Sequence, residues 1–172
     1  MQLRLLAGVM AALPGAAFAT EYLSAEQAQA VLFPQATRFE PRDRVLTPAA
    51  LARLQPEAVS QLASGHLRYF EAFNGDTTLG FVAIDEVIGK FERIRFAVGI
   101  GADGKLRPVE ILQYSESHGS EVRLPAWRRQ FAGKTASAAL NVGDDIANIS
   151  GATLSCTHVT DGVRKLVTAL AG

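Results

Sequence analysis

The sequence predicts an α+β domain: a twisted antiparallel sheet with flanking helices, closed by a long C-terminal helix. Three observations carry that expectation. Residues 66–115 hold runs of aromatic and β-branched residues separated by the turn dipeptides Asn74-Gly75 and Asp103-Gly104. Helix-start signals precede those runs, at Ser24 and at Thr47-Pro48. Behind them Ala152, Cys156, Val159, Val163, Leu166, Val167 and Leu170 recur at helical spacing and form one apolar stripe.

Taken in chain order, Met1 to Ala19 carries one positive charge, Arg4, and no acid. An apolar stretch runs from Leu5 to Leu13, and the segment closes on Ala17-Phe18-Ala19. Short positive region, short apolar core and small residues at the −3 and −1 positions describe a secretory signal peptide, with cleavage expected after Ala19. The apolar core is too short to span a bilayer, which needs about 20 residues. The remainder, residues 20–172, has the size of one domain, with an N-terminal helical segment expected over about 20–56.

Ser24-Ala25-Glu26-Gln27 reads as a capping box, and its helix runs to about Phe33 before Pro34 stops it. Thr47-Pro48 supplies an N-cap followed by proline at the first helical position, starting a helix that continues to Pro56. Four strands follow as a meander: Leu67–Phe73, Thr77–Val87, Glu92–Val98 and Val109–Leu112. Asn74-Gly75 joins the first pair, with both residues expected at positive φ, and Asp103-Gly104 turns the third into the fourth. Pro125–Lys134 reads as a short helix with a Gly133 exit, followed by a turn at Gly143-Asp144. The final helix starts at about Ser150, and the sheet is expected to be covered on one face.

Charge and composition exclude several functions. Lys plus Arg and Asp plus Glu each number 17, so no concentrated basic surface points to a nucleic-acid partner. One cysteine, Cys156, allows no intrachain disulfide, and no Cys-x-x-Cys-His marks haem attachment. His66, His118 and His158 are scattered, without metal-ligand spacing. No Gly-x-Ser-x-Gly elbow marks an activated serine. Cys156 lies on the apolar stripe, where a thiol behaves as a small hydrophobe.

The chemistry-bearing segment is Ile149-Ser150-Gly151-Ala152-Thr153-Leu154-Ser155, a loop entering a helix with hydroxyls and a glycine at the junction. Unpaired N–H groups and the helix dipole make such an end an anion site, with phosphate its usual occupant. The same residues also suit an ordinary start, with Ser150 as N-cap and Gly151 easing the turn.

Ser150-Gly151-Ala152-Thr153 at the start of a C-terminal helix resembles the flavin-attachment motif of the FMN-binding domain family. That family includes the C subunit of the sodium-translocating NADH:quinone oxidoreductase and the G subunit of the Rnf complex. Two further stretches resemble it in the expected order: Glu116-Ser117-His118-Gly119 for a Glu-Thr-Pro-Gly-like turn after a strand, and Gln130-Phe131-Ala132-Gly133-Lys134 for Gln-Phe-x-Gly-Lys. The resemblance implies FMN joined as a phosphoester to Thr153 by a periplasmic flavin transferase. Ser150, Gly151, Ala152, Glu116, Ser117 and Gly119 would complete the cofactor site. It implies an electron-transfer carrier or oxidoreductase subunit, working with redox partner proteins or a membrane electron-transfer complex. The sequence departs from the family at Ala147, where an acidic residue commonly stands three positions before the motif's serine; Asp144 and Asp145 lie close by.

Other residues admit two readings each. His118 lies in the expected flavin turn, or is merely an exposed loop histidine. Trp127 is core or the wall of a flavin pocket. Arg123, Arg128 and Arg129 form a basic cluster that could meet the FMN phosphate or an acidic partner, or simply be solvated. His158 is expected on the solvated flank of the helix. The alternative function is a flavin-free or reversibly flavin-binding periplasmic module acting by protein–protein contact.

Overall fold

The computed structural model describes residues 20–54, 62, 65–116 and 118–171. The expected signal peptide and Ser117 lie outside the described residues, whereas the second helix, expected to continue to Pro56, ends at Leu51 with Ala52 as its C-cap.

The architecture is α+β. Six strands form one antiparallel sheet: β1 (Thr20–Glu21), β2 (Arg38–Val45), β3 (His66–Asn74), β4 (Thr77–Ile88), β5 (Arg93–Gly101) and β6 (Glu110–Tyr114). Their spatial order is β1-β6-β5-β4-β3-β2. Among the described residues the helices are α1 (Ala25–Leu32), α2 (Pro48–Leu51), α3 (Pro125–Arg128) and α4 (Thr153–Leu170), with 3₁₀ turns at Ser120–Arg123 and Arg129–Phe131.

The capping box forms as read: the Ser24 hydroxyl accepts from the Gln27 N–H, and the Gln27 amide oxygen accepts from the Ser24 N–H. Thr47 caps α2 through the Ala50 N–H. The four expected strands are β3 to β6.

Two strands were not expected, and they correct the helical segment over 20–56. β2 separates α1 from α2 and pairs along its whole length with β3. Its Arg-Phe-Glu-Pro-Arg-Asp-Arg-Val carries charge where apolar alternation would announce a strand. An edge strand tolerates that: Pro41 needs no outer hydrogen bond, and charged side chains block further pairing. The Arg38, Glu40, Arg42 and Glu71 side chains form a salt-bridged row across it. β1 is two residues long and pairs with β6 at the opposite edge.

The first hairpin turn is also displaced. Asn74 pairs with Thr77, so Gly75-Asp76 forms the loop, and of Asn74 and Gly75 only Gly75 has positive φ, +56°. A register shift between Ala72 and Phe73 accompanies it.

The sheet is covered on both faces, not one. Ile94, Phe96, Val98 and Ile100 of β5 point to α4, where they meet Cys156, Val159, Val163, Leu166 and Val167. Ala97, together with Val82 and Leu112, points to the other side and packs under Ala28, Leu32 and Phe33. α4 lies close on the sheet because Gly162 has no side chain; a Cβ there would stand 2.6 Å from Phe96 Cζ. One charge enters this interface. Lys165 is 4% exposed, and its Nζ lies 2.7 Å from Asp85 Oδ2 on β4. That approach is an ion pair without hydrogen-bond alignment at Oδ2.

Candidate functional site

The site is the start of α4 and the two loops that meet there. The helix begins at Thr153, three residues later than Ser150, and its N-cap is Ala152, which has no capping side chain. Ser150 is therefore not the cap. The first intrahelical bond runs from the Cys156 N–H to the Ala152 carbonyl, at 2.9 Å. The N–H groups of Thr153, Leu154 and Ser155 thus precede the helical ladder and have no side-chain cap. Gly151 has φ +86°, and the space over its Cα is open to 4 Å. Thr153 is exposed, with its hydroxyl oxygen accepting from Asn148 Nδ2 at 3.0 Å.

The three nearby hydroxyls differ in environment. Ser155 is 4% exposed and turns inward, its Oγ 3.1 Å from the Tyr114 hydroxyl. Tyr114 donates its own proton to the His118 carbonyl, so it accepts from Ser155. Burial raises the Tyr114 pKa; the Ser155 hydrogen bond opposes this and the charges of Glu116 and Glu121 add to it. Thr157 is half-buried, a turn beyond Thr153.

The turn after β6 is brought against the helix start by Gly119. It has φ +82°, and a Cβ there would meet Tyr114 Oη at 2.8 Å, Ser155 Oγ at 3.0 Å and Ala152 Cα at 3.4 Å. Gly119 therefore touches the motif it was read with. Glu116 is committed elsewhere: Oε1 accepts the N–H groups of Phe91 at 2.5 Å and Glu92 at 2.9 Å in the β4–β5 turn. Its partial burial opposes ionisation, but the N–H groups of Glu92, Phe91 and Lys90 outweigh this and hold its pKa below the usual range. His118 is exposed, and it is its carbonyl that joins the network.

Gln130-Phe131-Ala132-Gly133-Lys134 proves to be the scaffold of the loop before α4. Gln130 Oε1 accepts the Ala147 N–H at 2.7 Å, while Trp127 Nε1 donates to the Ala147 carbonyl at 2.9 Å. Ala147 is thus clamped on both backbone groups. Trp127 is core, 3% exposed and edge-on to Phe131. Lys134 pairs with Asp145 at 3.1 Å, and the Asp145 carboxylate accepts the N–H groups of Asn141 and Leu140. Burial opposes its charge; the Asn141 N–H, Lys134 and the Leu140 N–H together lower its pKa. Asp144 accepts from Asn141 Nδ2 at 2.7 Å. Both acids near Ala147 therefore serve the loop's own fold.

The basic cluster is not gathered at the helix start. The Arg123 guanidinium lies 3.7 Å from the Tyr22 ring centroid, Arg128 pairs with Glu110 on β6, and Arg129 is exposed. His158 is not a solvated flank residue: it is half-buried, and Nδ1 lies 2.6 Å from the Ile88 carbonyl, to which it donates. Cys156 is fully buried, and burial raises its thiol pKa despite local backbone hydrogen bonds. Sequence reasoning missed Asn148 and the pairing of Tyr114 with Ser155. Asn148 stands next to the motif and could have been weighed as a donor; the Tyr114–Ser155 pairing spans 41 residues and left no local signal. Among the described residues no group of three or more His, Cys, Asp and Glu could hold a metal, and no helix is long and apolar enough to cross a membrane.

The donor set fits a phosphate monoester: three uncapped N–H groups of an 18-residue helix, an exposed hydroxyl and open space over Gly151. No curated protein matches the chain. A protein-family profile does, that of the FMN-binding domain, over residues 89–168. The matched segment starts at the β4–β5 turn and takes in the Glu116–Gly119 turn, the scaffold residues, the clamped loop and nearly all of α4. It supports FMN as the cofactor and a flavin-binding protein of the electron-transfer type. Over residues 89–168 the chain matches the FMN-binding domain family.

Proposed function

We propose that this chain is an exported electron-transfer flavoprotein whose FMN is held through a phosphoester to Thr153. One observation carries the covalent part: Thr153 is the exposed first residue of a helix without a side-chain cap, so its hydroxyl and the unpaired N–H groups address the same space. FMN, when bound, supplies the redox chemistry, while the protein orients it and controls access to it. Ser150 and Gly151 leave room at the helix end, Ala152 packs against Gly119, and Ser155 ties the first turn to the sheet through Tyr114. Export to the periplasm is supported by the Leu5–Leu13 stretch and the Ala17-Phe18-Ala19 site. There the partners are a flavin transferase and a redox protein or membrane electron-transfer complex.

The test is denaturing-gel flavin fluorescence with intact mass, after co-expression with a flavin transferase. The wild type and Thr157→Ala retain flavin and Thr153→Ala loses it; Ser155→Ala retains it with lower stability. Covalent flavin on Thr153→Ala rejects the assignment. A second reading, reversible FMN binding at the same helix end, is favoured by Ala147, because no acidic side chain replaces the one the family carries there. Under that reading the native protein is yellow and the denatured polypeptide bare.

A further inference from the structure

We propose that Asn148 is a positioning residue for the Thr153 hydroxyl, and that it sets the rate at which this chain accepts its flavin. The inference rests on the covalent reading above. Asn148 Nδ2 donates to Thr153 Oγ at 3.0 Å. A hydroxyl oxygen has two lone pairs and one proton. The amide occupies one lone pair, so the second lone pair and the proton point away from Asn148. A hydroxyl free to rotate would divide its time among three staggered positions; the amide takes one of them, so the proton is confined to the two that point outward.

The hold is built from the core outward. The peptide preceding Asn148 is fixed at the Ala147 N–H by Gln130 and at the Ala147 carbonyl by Trp127. Trp127 is itself buried against Phe131. The Thr153 side is fixed by α4, whose first turn is tied down through Ser155 and Tyr114. Donor and acceptor therefore sit on two anchored segments, five residues apart, and neither can drift without breaking one of these hydrogen bonds.

The chemistry needs that orientation. An alcohol does not condense with FMN in water without an activated phosphate, so the donor must be a phosphoanhydride of FMN, that is, a flavin dinucleotide. Thr153 Oγ attacks the FMN phosphorus through its outward lone pair. A new Oγ–P bond forms, the anhydride P–O bond breaks and the nucleotide monophosphate leaves. The Thr153 proton passes to a base of the transferase, and no atom changes oxidation state. Holding the attacking atom in one geometry is the kind of contribution that appears in the rate of the chemical step. An Asp at 148 would do the reverse: it accepts the hydroxyl proton and turns it inward, away from a base outside.

The experiment uses the full mature chain, a purified flavin transferase and flavin adenine dinucleotide, following denaturation-resistant fluorescence over time. For Asn148→Ala the expected result is a kcat about tenfold lower, from one lost neutral hydrogen bond, with KM for the carrier within about twofold. Asn148→Asp, nearly isosteric, is expected at least as slow, and Asn148→Ser, a shorter donor, partly restores the rate. Wild-type kcat in both Asn148→Ala and Asn148→Asp overturns the proposal, as does a loss confined to KM, which would make Asn148 a docking contact. If Asn148→Ala unfolds, Asn148→Asp decides by the same criterion. If the wild type itself takes no covalent flavin, the covalent reading fails, and this proposal with it.

Discussion

Replacing Gly119 by alanine tests whether the turn after β6 is packed on the helix start. Two costs add. At φ +82° a Cβ is strained against the following carbonyl, by about 1–2 kcal/mol. The same Cβ would stand 2.8 Å from Tyr114 Oη and 3.0 Å from Ser155 Oγ, so the two hydroxyls must move and their buried contact opens. Leaving a buried hydroxyl poorly partnered costs about 1–3 kcal/mol. The sum is about 2–5 kcal/mol. Gly104 separates the terms, since its φ is +76° but a Cβ there meets nothing within 4 Å, so Gly104→Ala carries the backbone cost alone. In urea, with a slope of about 2 kcal/mol/M, Gly119→Ala lowers the midpoint by about 1–2.5 M and Gly104→Ala by about 0.5–1 M. Equal midpoints for the two variants would refute the packing argument. Retention of wild-type flavin loading by a folded Gly119→Ala would show that the turn does not shape the acceptor.

Three further outcomes follow from the geometry. Asp85→Ala removes the carboxylate 2.7 Å from the buried Lys165 ammonium and lowers stability by about 3–5 kcal/mol in denaturant titration, whereas Asp85→Leu with Lys165→Met recovers most of it. The pKa values of Asp145 and Glu116 are lowered in the folded chain, so the stability they contribute is fully present above the ordinary carboxylate range. It is lost as pH falls through their lower folded values, and acid titration of Lys134→Met shows a smaller Asp145 share of that dependence, the Asn141 and Leu140 N–H groups remaining. Cys156, buried and with a raised thiol pKa, resists a thiol reagent at mildly alkaline pH in the native protein and reacts on denaturation, as a mass-shift assay reads directly.

The parts of the fold legible in the sequence were those with local causes. The Ser24 and Thr47 caps and the apolar stripe of α4 each stand within a few residues of the structure they produce. β2 was illegible because its partner supplies its reason to exist: Arg38 to Val45 becomes a strand by lying along β3, and at an edge no apolar face is demanded of it. The cover of α1 on the second face was hidden similarly. Val82-Ala83-Ile84 and Ala97-Val98 are runs without alternation, as strands buried on both sides must be, and such runs do not announce their neighbours. At the site, the Ser150–Thr153 string was readable as a resemblance. The partners of Thr153, Ser155 and Ala147 were not, because hydrogen bonds between side chains and distant backbone leave no periodicity.

The clamp on Ala147 also fixes an order of events in the life of the chain. The loop before α4 owes its shape to Gln130 and Trp127, and Trp127 is held by the core. A nascent chain or a short peptide carrying Ser150 to Thr153 has the letters of the motif without the surface. A Thr153 hung from the core in this way has its exposed geometry only once the core has closed, so that geometry marks completed folding.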